Sequence, residues 1–427
     1  MVRCARARVE FVVNVAARWD AAARLVAHHR DLLDARPGAA GSALDQGLAG
    51  VPDALLTRGW ASFLLALTGD ELDALEIGGH DATWPAAAPR SLVALAEAAR
   101  EVCALPMLVA PPSSLDAPAR RLETPRKRAQ IEAFAQVIVP LARGADRVID
   151  VGSGHGHLTR DIAERIARPV IGLERNDALA ERARTLPSTA SPVFAVTDVL
   201  REGLTLGAGD CVIGLHACGE LGDAMVESAA RTGAAIALVG CCLQKRRASS
   251  RALLCAEAAA EAGYAEVLCL PRDLLGLSNL TARDDGVEAS RAENLAGRER
   301  RLALHRLLSL DGATLRLGAE IDGLNRRAAQ RDLASLVTRA FAIRKRPAPA
   351  ASAIEEAAAW ARARHAQVRR LSLPRALLAR VLEVLVLLDR ARRLEAHGRD
   401  VTIGLLFPAN VSARNLVLAS RATDVSR

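Results

Sequence analysis

Lysine and aromatic residues are scarce in this chain of 427 residues. It has three lysines, so 54 of its 57 basic residues are arginine, and aromatic residues make up 3% of the sequence, with Tyr264 as the single tyrosine. So few aromatic side chains argue against a broad stacking platform for single-stranded nucleic acid. The net charge of +8 permits a polyanionic partner without identifying one, because an arginine-rich composition also follows from a GC-rich genome.

Long hydrophobic runs are missing as well. Apolar stretches such as Val384–Leu388 are far shorter than the roughly 20 residues of a transmembrane helix. Charged side chains at Arg3, Arg6 and Arg8 interrupt the start of the chain, which is unlike a secretory signal. We therefore expect a cytoplasmic protein without membrane contact, whose eight cysteines stay reduced.

Three regions differ in their sequence pattern. Residues 1–122 place apolar residues at three- and four-residue spacing between proline and glycine breaks, which predicts a helical N-terminal region. Residues 123–248 and 376–427 alternate short β-branched runs with helical stretches, whereas residues 249–375 are charged and mostly helical. We predict that residues 249–375 are an insertion into one α/β domain.

The α/β pattern predicts a doubly wound, Rossmann-like sheet. Near-continuous apolar strands separated by helices are typical of parallel strands covered on both faces. Five such strands and a closing hairpin give a mostly parallel sheet of seven strands, whose ligand binds at the carboxyl ends of the strands. The predicted strands are residues 147–151, 170–174, 193–196, 211–215 and 235–239, and the hairpin comprises residues 401–407 and 415–419.

A glycine-rich turn follows the first predicted strand and leads directly into a helix. Residues 150–156 read DVGSGHG. Glycine lets the chain turn sharply and lets a ligand approach the backbone closely, and the helix N-terminus offers unpaired N–H groups. We predict that Gly152, Ser153, Gly154 and Gly156 bind a cofactor.

Acidic residues at three successive strand ends select the type of cofactor. The carboxylate of Asp150 would repel a pyrophosphate, whereas it would pair with the ammonium group of S-adenosylmethionine (SAM). Glu174 is suited to accept hydrogen bonds from both ribose hydroxyls, and Asp198 from the adenine amino group. The pattern therefore favours SAM over a dinucleotide such as NAD.

Several further blocks resemble those of class I SAM-dependent methyltransferases, and among them the methyltransferase-like proteins that contain a ribosomal RNA adenine dimethylase domain. Besides the glycine loop, the similar blocks are residues 124–127 (TPRK), 214–221 (GLHACGEL), 239–242 (VGCC), 387–390 (LLDR) and 412–416 (SARNL). The resemblance implies a SAM-dependent methyltransferase domain in under half of the chain. It implies nothing for residues 1–120.

The sequence departs from the family pattern at three places. Lysine is usual at His155, proline at Ala413, and Tyr-Met at Leu243-Gln244. The missing tyrosine puts the substrate pocket in doubt, whereas the cofactor loop is intact. The blocks at residues 216–219 and 241–242 are also similar to those of tRNA 2′-O-methyltransferases. Both resemblances imply RNA or a ribosomal component as the partner.

His216, Cys218 and Cys242 are the candidate catalytic residues, since the fourth and fifth strands end beside the expected methyl donor. His216 suits a general base for a hydroxyl acceptor, and either cysteine suits covalent addition to C6 of a pyrimidine. These residues and Cys241 could also bind zinc, but their spacing is unlike that of common zinc sites, so we predict no metal. The alternative is a purely structural role, in which the cysteines only pack around the cofactor.

Basic residues flank the expected cofactor edge in two clusters. Arg126 and Lys127 precede the first strand, and Lys245 and Arg246 follow the fifth. We predict that they bind substrate phosphates, with an ordinary solvated surface as the alternative. No Asn-Pro-Pro-Tyr-like motif follows the fourth strand, so the sequence does not support methylation of the adenine amino group, despite the family's label.

The sequence thus leads to one main hypothesis and two alternatives. The main hypothesis is a SAM-dependent methyltransferase that acts on RNA or a ribosomal component. The first alternative is a methyltransferase for a protein or a small molecule, with the helical insertion as a lid. The second is a catalytically inactive protein of the same fold that binds RNA or another partner.

Overall fold

The computed structural model describes residues 13–35, 51–110, 123–279, 291–310, 315, 318–325 and 332–422. The chain divides into two compact units. The first comprises residues 1–27, 102–282 and 380–427, and the second comprises residues 28–101 and 283–379. This division differs from the predicted regions, because most of the N-terminal region groups with the later part of the insertion, and residues 249–282 group with the sheet.

A seven-stranded sheet forms the first unit, which confirms the predicted α/β class. Its strand order is β3-β2-β1-β4-β5-β9-β8. Strands β1 to β5 are parallel, and β9 is antiparallel to both β5 and β8. The strands are β1 (Arg147–Val151), β2 (Val170–Glu174), β3 (Val193–Val196), β4 (Asp210–Cys218), β5 (Ala235–Cys241), β8 (Val401–Leu405) and β9 (Leu416–Ser420). A separate small pair consists of β6 (Ser250–Arg251) and β7 (Leu270–Pro271).

Helices cover both faces of this sheet and build the second unit. Around the sheet lie α7 (Pro125–Ala142), α8 (His157–Arg165), α9 (Asp177–Thr185), α10 (Val199–Glu202), α11 (Glu220–Thr232), α12 (Ala256–Glu261) and α13 (Arg272–Leu275). The N-terminal helices are α1 (Val15–His28), α2 (Arg30–Asp34), α3 (Asp53–Leu56), α4 (Ala61–Ala66), α5 (Gly69–Gly78) and α6 (Arg90–Cys103). The later ones are α14 (Arg291–Ser309), α15 (Leu333–Ile343) and α16 (Ala351–Glu395). None of the described helices is both long and apolar enough to cross a bilayer.

Each unit has its own hydrophobic core. The core of the first unit joins α7 to the sheet through side chains such as Phe134, Ile138 and Ile213, which are fully buried. The core of the second unit is built from α14, α15 and α16, with Leu304 and Val337 at its centre. Burial of these apolar side chains is the main favourable term in folding of each unit.

The sequence predicts the ends of the first three strands correctly but places the ends of β4 and β5 too early. Both ladders continue past the β-branched residues, because small residues such as Ala217 and Gly240 still pair in register. The register shifts between Leu215 and Ala217, so His216 is an extra residue in β4. Its φ of 70° lies in the left-handed region, which is uncommon for a residue other than glycine. The side chain of His216 is thereby set apart from the regular alternation of the strand.

The last helix is longer than the sequence predicts. The apolar pattern after Pro374 predicts a helix over residues 374–396, but α16 has 45 residues and contains Pro374 in its interior. Proline removes a single N–H donor and can be accommodated inside a long helix that packs well on both sides. The boundary between the two units falls within this helix, between residues 379 and 380.

A buried ion network attaches the C-terminal part of α16 to the turn after β4. Asp389 is fully buried and accepts from the Arg251 guanidinium at 2.7 Å, as well as from two backbone N–H groups. Arg251 and Arg390 both donate to Asp223 of α11, and Arg390 also donates to the carbonyl of Gly219 at 2.9 Å. Burial alone would raise the pKa of Asp223, but Arg251 and Arg390 hold that pKa well below its usual range. The block 387–390 therefore has a structural role in this protein.

Removing one carboxylate from this network should destabilise the first unit strongly. We expect Asp389→Ala to lower the free energy of unfolding by on the order of 3–5 kcal/mol, because Arg251 loses a buried partner. Glu227→Ala is the matched control: it removes the partly exposed pair with Arg393, for which we expect about 1 kcal/mol or less. Urea denaturation of the two variants measures the difference. Equal effects would show that the buried network contributes no more than a surface pair.

Candidate functional site

The glycine-rich turn is built as the sequence predicts. It follows β1 directly, and α8 begins at His157. Gly152, Gly154 and Gly156 have φ values of 77°, 57° and 69°, a conformation that costs other L-residues about 1–2 kcal/mol. At Gly156 a Cβ atom would also lie 2.4 Å from the ring of Phe194. The tight turn therefore requires glycine for its backbone angles and, at Gly156, for lack of space.

Glu174 fastens this turn to the end of β2. One carboxylate oxygen accepts from the backbone N–H of Gly154 at 3.0 Å, and the other accepts from the N–H of Asn176 at 2.9 Å. Each carboxylate oxygen can accept more than one hydrogen bond. Glu174 can thus hold the turn and still accept from a pair of ligand hydroxyls.

Ser153 contributes an unsatisfied hydroxyl to the turn. Its Oγ atom is buried and has no hydrogen-bond partner in the described part of the chain. Buried polar groups are nearly always satisfied by protein or by ordered water or ligand. The hydroxyl therefore marks a place in the turn where a bound group would be stabilised.

Asp150 lies beneath the turn and is costly to ionise. It is 2% exposed and accepts a hydrogen bond of 2.7 Å from the hydroxyl of Thr159. Burial raises the pKa of Asp150 to about 6, although the Thr159 hydrogen bond and the charge of Lys127 oppose the shift. Burial in turn lowers the pKa of Lys127, against the charge of Asp150. A cationic ligand group at the turn would favour the ionised carboxylate.

The carboxylate of Asp198 already interacts with other residues of the protein. Its carboxylate caps α10 by accepting from the N–H of Leu200 at 3.2 Å, and it lies 3.7 Å from the guanidinium of Arg247. A capping aspartate after β3 fixes the start of the short helix α10. The predicted contact with an adenine amino group would use the remaining acceptor capacity of this carboxylate.

The ring of His216 is buried beside α7. Its Nε2 lies 3.1 Å from Oε1 of Gln130, and its Nδ1 is buried without a partner in the described residues. Burial and the charges of Lys127, Arg414 and Arg126 lower the pKa of His216 to about 3. The imidazole is therefore neutral near pH 7. It is suited to hydrogen-bond a group of the substrate rather than to take up and keep a proton.

Cys218 and Cys242 come together with Cys241 at the ends of β4 and β5. The sulfur atoms of Cys218 and Cys241 are 2.7 Å apart, and the guanidinium of Arg414 lies 2.5 Å from the sulfur of Cys242. Hydrogen bonds from the other two thiols, followed by the charge of Arg414, lower the pKa of Cys242 well below its usual range. The three thiols thus form one cluster at the ends of the two strands.

The four candidate phosphate-binding residues are placed differently from one another. Arg126 donates to the carbonyl of Val411 at 2.5 Å, and Lys127 lies close enough to Asp150 for their charges to interact. Arg246 pairs with Asp223 at 3.3 Å, with a side chain only 9% exposed, whereas Lys245 is exposed. A phosphate contact by Arg246 would require it to leave the buried ion network.

Sequence reasoning did not single out Gln130 and Arg414. Gln130 reaches His216 from α7, and Arg414 reaches Cys242 from the segment before β9. Arg414 lies in the block 412–416, so the family resemblance was a signal for it. Nothing in the local sequence around Gln130 indicates its contact, because the two residues are 86 positions apart.

Comparison with known proteins agrees with this geometry for the central part of the chain. Residues 126–249 match a family model described as "Methyltransferase domain". This segment contains α7, the glycine turn, Glu174 and the ends of β4 and β5. The match confirms the predicted methyltransferase domain and agrees with SAM as its cofactor, while it does not address the ribosomal RNA adenine dimethylase family.

The similar whole proteins match only over a short stretch. A "Glutathione S-transferase C-terminal domain-containing protein homolog" of Drosophila melanogaster is 32% identical over 131 residues, which is 29% of this chain and 21% of that protein. Its counterpart in Drosophila pseudoobscura pseudoobscura is 31% identical over 129 residues, with 29% and 21% covered. The matched stretch thus spans about a fifth of these relatives.

One solved structure is similar at a low level. It is the plantazolicin methyltransferase BpumL, determined with a triazolic desmethylPZN analog and SAH. The TM-score is 0.23 with 13% sequence identity, covering 40% of this chain and 61% of that one. At this score the likeness adds nothing to the fold that the sheet order itself establishes.

Replacing Asp150 should stabilise the protein while impairing ligand binding. A raised pKa means that the protonated carboxyl stabilises the fold below about pH 4 and that this contribution is lost as the pH rises through about 6. We expect Asp150→Asn to be more stable than the wild type at pH 7.5 by on the order of 1–3 kcal/mol. The gain should disappear near pH 4. Denaturation at several pH values measures it; a gain that does not depend on pH would contradict the assigned pKa.

Proposed function

We propose that this protein is a SAM-dependent methyltransferase that acts on RNA or on a ribosomal component. The observation that carries the proposal is the cluster of acidic and glycine residues at the carboxyl ends of β1 and β2. Asp150 and Glu174 lie on either side of a turn of three left-handed glycines, at the point where the strand order changes direction. Ligands of doubly wound sheets bind at this switch point.

Each group at the turn has a counterpart in the proposed donor. The Asp150 carboxylate would stabilise the ammonium group of the amino acid end, and Glu174 would accept from the ribose hydroxyls. The Ser153 hydroxyl and the backbone N–H groups at the N-terminus of α8 would bind the carboxylate of the donor. SAM supplies an activated methyl group on a sulfonium. The protein has to align the acceptor with it and exclude water.

An RNA acceptor is supported by the charge at the same edge of the sheet. Lys245 is exposed, and the side chain of Arg247 is 55% exposed next to it. Both follow β5, whose carboxyl end adjoins β4 and the ring of His216. The resemblance to RNA-directed methyltransferase families points in the same direction. Phosphates bound there would lie near the donor and orient a nucleotide towards it.

His216 is the residue we propose to orient the acceptor. Its Nε2 faces the amide oxygen of Gln130, so the ring has its Nδ1 lone pair available to accept a hydrogen bond from a hydroxyl or amino group. A catalytic role for Cys218 or Cys242 stays a prediction from the sequence. A protein or small-molecule acceptor, or loss of catalysis with binding retained, are the outcomes that the following measurements distinguish.

Loss of the Glu174 carboxylate should weaken donor binding. Titration calorimetry with SAM is expected to show at least about a tenfold weaker affinity for Glu174→Ala, since two ribose hydrogen bonds are worth roughly 1–3 kcal/mol. Glu181→Ala in α9 is the control, because this carboxylate is exposed and pairs with Arg184 on the surface. If wild type does not bind SAM at all, the proposed function is wrong. If it binds SAM but transfers labelled methyl groups to protein rather than RNA, only the acceptor is wrong.

Lys245 and Arg247, the exposed basic residues after β5, should contribute to the salt dependence of RNA binding. We expect the double variant Lys245→Ala/Arg247→Ala to bind RNA more weakly and to reduce the slope of log affinity against log salt by about one to two. Arg168→Ala is the matched control, as this exposed arginine precedes β2 at the opposite edge of the sheet. Fluorescence anisotropy at several salt concentrations measures the slopes. An unchanged slope in the double variant would exclude these residues as phosphate contacts.

A further inference from the structure

Three thiols meet at the carboxyl ends of β4 and β5. Cys218 ends β4 and pairs in register with Cys241, which ends β5, and Cys242 follows directly. All three sulfur atoms lie within 4.8 Å of one another. Because the two strands are neighbours, the sheet itself fixes this convergence. Soft sulfur donors concentrated in so small a volume are typical of sites for thiophilic cations.

We infer that the sulfur atoms of Cys218, Cys241 and Cys242 bind a thiophilic cation, Zn²⁺. In a tetrahedral zinc site each Zn–S distance is about 2.3 Å, so two sulfur ligands are about 3.8 Å apart. Cys218 and Cys241, now 2.7 Å apart, reach that separation by small side-chain rotations. Three protein ligands leave the fourth position for water or an acceptor atom, as in catalytic zinc sites.

The surroundings of the thiols suit a bound cation. Three thiolates on Zn²⁺ carry a net charge of −1, which the guanidinium of Arg414, 2.5 Å from the Cys242 sulfur, would balance. The thiols of Cys218 and Cys241 donate to the carbonyl oxygen of His216 at 3.3 Å and 3.1 Å, and both hydrogen bonds are given up when the thiols lose their protons to bind a metal ion. Arg414 donates to the sulfur of Cys242 and so stabilises it as the thiolate that a metal ion binds. Groups of this kind around a metal site contribute 10–100-fold to affinity.

Two further features fit the proposal. His216 and Cys242 both have positive φ values, 70° and 25°, and such strain persists only where the surrounding structure enforces it. Cys241 and Arg414 also line a cavity together with Glu383 and Leu416. The spacings of these residues along the chain, H-x-C and C-C, are unlike those of common zinc motifs. They become suitable for zinc because the sheet brings the ends of β4 and β5 together.

The proposal competes with two other uses of the same thiols. A nucleophilic Cys218 or Cys242 would have to be free, because a thiolate that coordinates zinc is not available for addition to a pyrimidine. A disulfide between Cys218 and Cys241 would need an oxidant such as a peroxide, which takes up two electrons and two protons as the S–S bond forms. Neither alternative requires Cys241 and Cys242 to share one centre with Cys218.

Metal binding to the reduced full-length chain tests the proposal without any activity assay. Metal-free protein is titrated with Co²⁺, and a sulfur-to-cobalt charge-transfer band is expected to saturate at one equivalent and to disappear when Zn²⁺ is added. Cys218→Ser, Cys241→Ser and Cys242→Ser should each weaken cobalt binding at least about 10-fold, and Arg414→Ala by about 10–100-fold. Cys269→Ser is the control, because this thiol is exposed, lies outside the cluster and donates to the hydroxyl of Ser250.

Circular dichroism verifies that each variant is folded. The proposal fails if reduced wild type gives no charge-transfer band, or if Cys269→Ser weakens the band as much as the cluster variants do. It also fails if intact mass shows a Cys218–Cys241 disulfide in protein kept under reducing conditions. SAM binding is measured separately on the same samples, so donor binding without metal binding overturns this inference and leaves the proposed methyl transfer intact.

Discussion

The buried ion network around Asp223 and Asp389 is the interaction on which the candidate site depends. It ties α16 to α11 and to the Gly219 carbonyl, and Gly219 directly follows the last residue of β4. The position of Cys218, and through the register that of Cys241, is thereby set by residues far away in the sequence. An apolar contact could hold the same elements together, but a paired arginine and aspartate also fix their orientation.

The parts of the site predicted from the sequence are those that local physics determines. A strand, a turn of glycines and a helix within ten residues are enough to predict β1, the turn and α8, and an acid closing β2 follows from its spacing. The ends of β4 and β5 were placed too early because the prediction relied on β-branched residues, whereas the ladder continues through alanine and glycine. Arg246 was predicted as a surface cation because its partner Asp223 is adjacent only in the folded chain.

The difference between local signals and tertiary contacts also explains why the observed domain division differs from the predicted regions. Proline at 374 is a local signal for a helix start, and tertiary packing overrides it, so α16 continues through both units. Contacts that group residues 28–101 with residues 283–379, such as those of Arg369 with Asp73 and Glu76, join positions almost 300 apart. No pattern within either segment encodes that pairing. Composition alone could therefore separate the helical parts from the sheet but could not show that they belong together.

Lys127 links the two chemistries proposed for this edge of the sheet. Its charge interacts with Asp150 under the glycine turn and with Cys241 in the thiol cluster. Burial of Lys127 makes its ammonium group costly unless anions face it, and both neighbours are groups that ionise when they bind a cation. A metal ion bound by the three thiolates would leave a net charge of −1 near Lys127, whereas a positively charged donor at Asp150 would cancel the charge of that carboxylate. A metal ion at the thiols should therefore favour the charged form of Lys127 and a donor at Asp150 should oppose it, so Lys127 lets the two sites influence one another without direct contact.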